Sequence, residues 1–192
     1  MKIVIHVVGT SPLLMHNPRM VDPEFEINRQ MKVLTGIRKK TDETLRQIGR
    51  LEWFGGMYEV EGVVVQPTSK LRKCLINAGR ISKQGKSIER ALSFSELNVP
   101  LIYEGPKELN KLFEDKRYTS RLSVGIGNKR VMRVRPQFSQ WGLRVKGLFI
   151  EDAGLNLSEF EHIAELAGLS EGIGDNRVNG YGRFTIKVTQ DE

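Results

Sequence analysis

A chain of 192 residues, 39% hydrophobic and 28% charged, holds enough apolar material for one packed core and reads as a single domain over 1–192. Thirty Lys and Arg against 23 Asp and Glu leave a net charge of +7 and a pI near 9.6, a balance that favours a polyanionic partner, nucleic acid above all. The single cysteine, Cys74, excludes an internal disulfide framework. The opening MKIVIHVVGT reads as a strand and not as a secretion signal, and no apolar run approaches a membrane span, so a cytoplasmic protein with no membrane partner is expected.

In chain order, 2–8 is a β-branched run and opens the fold as a strand, followed by a loop through Gly9, Ser11, Pro12 and Pro18. Apolar residues then recur at helical spacing over 23–34 and again over 41–53. The second run passes through Leu45, Ile48, Leu51 and Trp53, with Thr41 or Asp42 as N-cap and Gly55-Gly56 as stop. Arg38, Lys39 and Lys40 separate the two. Residues 57–66 read as a hairpin turning at Glu61-Gly62, and Pro67 closes its second strand.

Thr68 or Ser69 caps a helix to about Arg80 whose apolar side is Leu71, Leu75, Ile76 and Ala78. Cys74 lies in that helix as a small core residue. A polar, basic loop is expected over 82–87, short strands over 92–97 and 101–103, and a small helix over 107–113. Residues 130–138 and 143–150 look like two paired strands joined near Trp141-Gly142. An amphipathic helix over 157–169 places Phe160, Ile163, Leu166 and Ala167 inward, and a closing strand covers 183–188. The sequence of elements is α+β: an RRM-like (ferredoxin-like) antiparallel sheet with helices on one face and a helical insertion over about 24–54 after the first strand.

Positive charge is segregated. Lys116, Arg117, Arg121, Lys129, Arg130, Arg133, Arg135, Arg144 and Lys146 share a window without one acidic residue, and Lys70, Arg72, Lys73, Arg80, Lys83, Lys86 and Arg90 share another opposed by Glu89 alone. Such windows suit a phosphate-binding groove, because each neutralised phosphate releases counterions. Strand alternation puts Arg133 and Arg135 on one face and Met132 and Val134 on the other, so one face can meet a core while the other meets a ligand. Tyr118, Phe138, Trp141 and Tyr181 lie among these charges as candidate stacking groups for unpaired bases; Phe138 is the one expected in the core and Tyr181 the one expected at the surface.

The stretch GIGDNRVNGYGRF (172–184) follows a helix and precedes a strand. Gly172, Gly174, Gly180 and Gly182 permit close backbone approach, and its amides with Arg177 and Arg183 offer a phosphate cradle. A tight helix-to-strand connection is the other reading. It is neither a phosphate-binding Walker loop nor a Rossmann fingerprint, because a strand and not a helix follows it.

Three segments carry a family resemblance: IVIHVVGTSPLL (3–14), VVQPTSKLRKCLINA (64–78) and the glycine-rich 172–184. In this order the chain resembles the RAMP superfamily, the RRM-like proteins that include crRNA-binding backbone subunits of CRISPR effector complexes. Together with LEWFGGMY (51–58) and RVMRVRPQF (130–138), the pattern also looks like uncharacterised phage and mobile-element proteins. The resemblance implies a subunit that binds single-stranded RNA or DNA and polymerises along the strand as a homo-oligomer. The binding residues it and the charge pattern mark are Lys70, Arg72, Lys73, Arg130, Arg133, Arg135, Arg177, Tyr181 and Arg183, with the loop glycines.

Some RAMP proteins cleave RNA, and for that alternative the candidates are His16, in the loop after Ser11-Pro12, and Asp22. General acid–base cleavage needs a second group beside His16, and the sequence identifies none. His6 reads as a sheet residue and His162 as a solvated helix residue. No Cys/His spacing suits a metal, and no cofactor is expected. A third reading is a phage structural protein whose basic surface docks an acidic protein.

Overall fold

A computed structural model describes residues 1–127 and 129–191, without the side chains of Ile126, Lys129 and Asp152. Lys129, part of the basic window, therefore lies outside the described side chains. The β-branched opening forms β1 (Lys2–Gly9), and the turn at Ser11-Pro12 leads to the two-residue β2 (Leu13–Leu14). Two helices follow, α1 (Glu26–Gly36) and α2 (Asp42–Gly56). Thr41 Oγ1 accepts from the Thr44 amide at 3.2 Å, so the predicted cap is in place. The hairpin β3 (Glu59–Val60) and β4 (Val63–Pro67) turns where Glu61 and Gly62 both have positive φ, 51° and 81°, as a type I′ turn requires.

Then come α3 (Thr68–Ile81), α4 (Gly85–Ala91), β5 (Leu92–Phe94), β6 (Asn98–Pro100), α5 (Leu109–Glu114), β7 (Thr119–Ile126), β8 (Lys129–Phe138), β9 (Gly142–Phe149), α6 (Leu157–Leu166) and β10 (Phe184–Gln190). The main sheet runs β10-β1-β9-β5, every pair antiparallel. With α3 linking β1 to β5 and α6 linking β9 to β10, this is the strand order 4-1-3-2 of a split βαβ, ferredoxin-like core. Ile3, Ile5 and Val7 of β1 join Leu143, Val145 and Phe149 of β9 and Phe184 of β10 in one apolar cluster, together with Leu71 and Leu75 of α3 and Phe160 and Ile163 of α6.

Four expectations are corrected. Residues 130–138 and 143–150 do not pair: β8 lies in a separate sheet, β2-β8-β7, while β9 enters the main sheet between β1 and β5. Their alternation fits a strand in either place; only the available edges decide the partner. Thr68 does not cap α3, because its hydroxyl donates to Glu96 O at 2.7 Å and Leu97 O at 3.1 Å, tying the helix start to the β5–β6 connection. Part of the polar 82–87 loop is helical, since Ile88 is fully buried and carries α4 inward with it. Leu166 is exposed, and Ala164 takes the inward position.

The insertion is fastened to β8 through one buried carboxylate. Glu52 of α2, 6% exposed, accepts from the Val134 amide at 2.8 Å and from Arg133 Nη1 at 2.9 Å. The first bond satisfies a strand-edge donor that has no ladder partner there. Among the described residues no helix is long and apolar enough to cross a membrane.

Candidate nucleic-acid interface

The glycine-rich segment leaves α6 and crosses the β1–β2 turn. The Asp175 amide donates to Leu14 O at 2.9 Å and the Gly182 amide to Pro12 O at 2.8 Å. Ser11 Oγ donates to Gly180 O at 2.7 Å and accepts from the Arg183 amide at 2.8 Å. The Ile173 amide bonds to Gly182 O at 2.9 Å, and those of Gly172, Asn179 and Gly180 also end on carbonyls. These amides are taken up by the backbone crossing and are not open to a phosphate. A Cβ on Gly182 would collide with the Ile173 carbonyl, and one on Gly174 would sit 2.6 Å from Leu14 O. Two of the three resemblance segments are thereby locked together. The third, α3, reaches the same region through Cys74, whose Sγ lies 3.6 Å from Ala167 O.

Against this crossing and the β7–β8 hairpin lies an open groove of about 530 Å³, lined among others by Val124, Arg135, Glu171, Asp175, Arg177 and Arg183. Arg135 Nη1 is 2.7 Å from Asp175 Oδ2, and Arg177 Nη1 is 3.5 Å from Glu171 Oε2. Arg183 donates to Ser170 O and, at 3.2 Å, to Arg177 O. Arg135 Nε is buried and has no acceptor among the described residues. His16 stands in the field of the same charges. Partial burial is the main cause holding its imidazole pKa below the ordinary value, Arg135 and Arg133 push the same way, and Asp175 and Glu52 oppose them. Tyr58 donates to His16 O at 3.1 Å, and Lys70 Nζ sits 6.0 Å from the Tyr58 ring centre. The Tyr58 phenol is pushed up by burial first and by Asp175 second.

The predicted residues thus fall into two sets. Arg135, Arg177 and Arg183 line the groove, His16 stands in the field of its charges, and Lys70 lies over Tyr58. Arg133 instead turns to Glu52. Arg72 is pinned by Glu89 O at 2.6 Å and Leu92 O at 3.3 Å. Arg130 bonds to Ser123 on the hairpin at 3.0 Å, and Lys73 is exposed on α3. Asp22 accepts from the Glu24 amide at 2.9 Å and serves its own turn. Phe138 is buried, as expected; Tyr118 and Trp141 are buried too, Trp141 donating to Ser11 O at 2.8 Å, which removes these two from the candidate stacking groups. Tyr181 is half-buried and not fully exposed.

The basic window over 116–146 is not free of acid in space, because Glu52 and Asp175 are folded into it, and beside it Glu171 meets Arg177. Sequence reasoning missed those three and Tyr58; only Asp175, placed inside the quoted loop, had a local signal. Cys74 is a packing residue, its thiol pushed up to about 12, chiefly by burial. Among the described residues no cluster of His, Cys, Asp or Glu could hold a metal.

The fold and the groove define an α+β protein with a ferredoxin-like sheet and a basic, open cleft beside it. No protein-family model matches the chain, and no curated protein matches it. Among solved structures it is similar to a chain of a Type IV-B CRISPR complex, at 11% identity and a TM-score of 0.41, over 98% of this chain and 90% of that one.

Proposed function

We propose that this protein binds single-stranded nucleic acid, RNA or DNA, as a subunit that does not itself perform catalysis. The observation that carries the reading is convergence. Arg135 of β8 and Arg177 and Arg183 of the crossing loop line one open groove, and Lys70 of α3 stands over the ring of Tyr58, which feels the charge of the groove's Asp175, on a chain of net charge +7. Arg135 and Arg177 already hold carboxylates, so a phosphate exchanges one partner for another there. The gain comes from released counterions, which makes the affinity steeply salt-dependent.

The test is fluorescence anisotropy of labelled single-stranded DNA, single-stranded RNA and duplex DNA at two salt concentrations. Single strands are expected to bind more tightly than duplex, more weakly as salt rises. Arg177→Ala and Lys70→Ala each should weaken binding several-fold and flatten the log–log salt slope by about 0.7, the value for one phosphate contact on a single strand. No binding at low salt rules the reading out. Strand cleavage that disappears in His16→Ala while binding persists would replace it with a nuclease.

A further inference from the structure

The helical insertion is anchored through one of its two helices. α2 turns Trp53 into the core and Glu52 onto β8. α1 packs on α2 and on the short turn Pro18–Val21, and it buries no residue. Two helices alone cannot cover both of their apolar stripes. What stays open is a groove of about 400 Å³ between α1 and α2, lined by Gln30, Val33, Leu34, Gln47, Arg50 and Leu51. Val33 is 72% exposed, and Leu45 in the first turn of α2 is 52% exposed. Val33 also borders a second opening, of about 670 Å³, which includes Val21 and Met31. Arg50 is a fixed part of the groove wall. Its guanidinium lies 4.8 Å from the ring centre of Phe54 and 5.2 Å from that of Phe113, and it donates to Asn110 Oδ1 at 2.7 Å.

Charge sets the character of this opening. Residues 27–41 hold Arg29, Lys32, Arg38, Lys39 and Lys40 and no acid. Arg29 is held by Glu24 and Glu26. Among the described residues, Lys32, Arg38, Lys39 and Lys40 have no carboxylate within ion-pair distance. An apolar groove with unpaired cations along α1 and at the hairpin tip is complementary to an apolar stripe flanked by acids. No aromatic ring lines the groove, so bases have nothing to stack on there. A second copy is a poor occupant. Its α3 and α6 have turned Leu71, Leu75, Phe160 and Ile163 into the core, and two such hairpins face to face would oppose like charges.

The geometry points to the α1–α2 groove as the docking site for a helix of another protein, amphipathic and acidic along the flanks of its apolar stripe. Such a helix completes a three-helix packing. Its apolar side chains, one turn apart, seat against Val33, Leu34 and Leu51, and its acids meet Lys32 and the Arg38-Lys39-Lys40 tip. The site is separate from the nucleic-acid groove, and neither reading depends on the other. The insertion then serves as an adaptor: α2 fastens it to β8, and α1 is left to a partner.

The experiment titrates the full chain into a labelled synthetic peptide of about three heptads, long enough to be helical, with leucine on one stripe and glutamate elsewhere. Its scrambled isomer keeps the charge and loses the stripe. The striped peptide is expected to bind and the scrambled one to bind at least about tenfold more weakly. V33E, at an exposed position, should lose about tenfold in affinity for the striped peptide, and K32E/K39E about fivefold. A peptide with lysine in place of glutamate should prefer K32E/K39E to the unaltered chain. Circular dichroism melting checks that both variants fold. Oligothymidylate binding by V33E should stay within about twofold of the unaltered chain, because Val33 lies outside the nucleic-acid groove. Equal binding of the two glutamate peptides, or no binding of either, overturns the inference and leaves the nucleic-acid reading standing. Sedimentation that shows self-association lost in V33E overturns it in favour of a contact between copies. Flotation with anionic phospholipid vesicles that V33E abolishes and the striped peptide does not compete overturns it in favour of a lipid surface.

Discussion

Asp175 works at three atoms. Its amide fixes the crossing loop to Leu14, its Oδ1 accepts from the Asn176 amide at 2.9 Å, and its Oδ2 faces Arg135. The Arg135 side chain is only 13% exposed, so water screens this pair poorly. The carboxylate is therefore a built-in competitor for any phosphate that approaches Arg135. Asp175→Asn keeps an acceptor for Asn176 and removes the competing charge. Affinity for a single strand should rise about fivefold, which corresponds to about 1 kcal/mol, the upper end of what a solvent-accessible ion pair contributes. The melting temperature should fall by several degrees, because a mostly buried guanidinium loses its partner. Anisotropy and circular dichroism on one variant read both effects; unchanged affinity would remove Arg135 from the binding set.

Helix α1 shows what periodicity does and does not establish. Its apolar residues recur at helical spacing and the helix forms, yet it has no buried residue, and Val33 remains 72% exposed. Its neighbour α2 is anchored, through Trp53 in the core and Glu52 on β8. An element with so little buried apolar surface opens at low cost. Native-state hydrogen exchange should therefore find the α1 amides exchanging far faster than those of β1 and β9. Equal protection would mean that α1 unfolds only with the whole sheet. The same distinction explains β8. Alternation made it a strand, but its neighbours were set by which edges remained free once β9 had entered between β1 and β5.

At the scale of the whole molecule, the crossing of the β1–β2 turn by the glycine-rich loop joins the first residues of the chain to the last. Gly182 and Gly180 test it differently. Both have positive φ, 69° and 83°, but a Cβ at Gly182 meets the Ile173 carbonyl while one at Gly180 meets open space. Gly180→Ala should cost about 1–2 kcal/mol, the strain of a left-handed alanine alone. Gly182→Ala must also push the two backbone segments apart, so it should melt well below Gly180→Ala and lose single-strand binding with the groove geometry. Similar melting of the two variants would show that the loop yields elsewhere.

Much of this protein was local, and therefore legible in the chain. β-branched runs, the Thr41 cap and the Glu61-Gly62 turn act over a few residues, and they fixed most elements and the α+β order. Phe138 and Cys74 could be placed in the core because apolar residues in strong patterns have nowhere else to go. Charge was visible as an amount and as windows, but its compensation was not. Glu52 reaches Arg133 across 81 positions of chain and Asp175 reaches Arg135 across 40, and an ion pair leaves no mark on the residues between. Tyr118 and Trp141 stayed open between core and stacking surface until packing decided it. Which cations are held by acids was decided by strand register and loop crossing, which bring together side chains that sequence distance keeps apart.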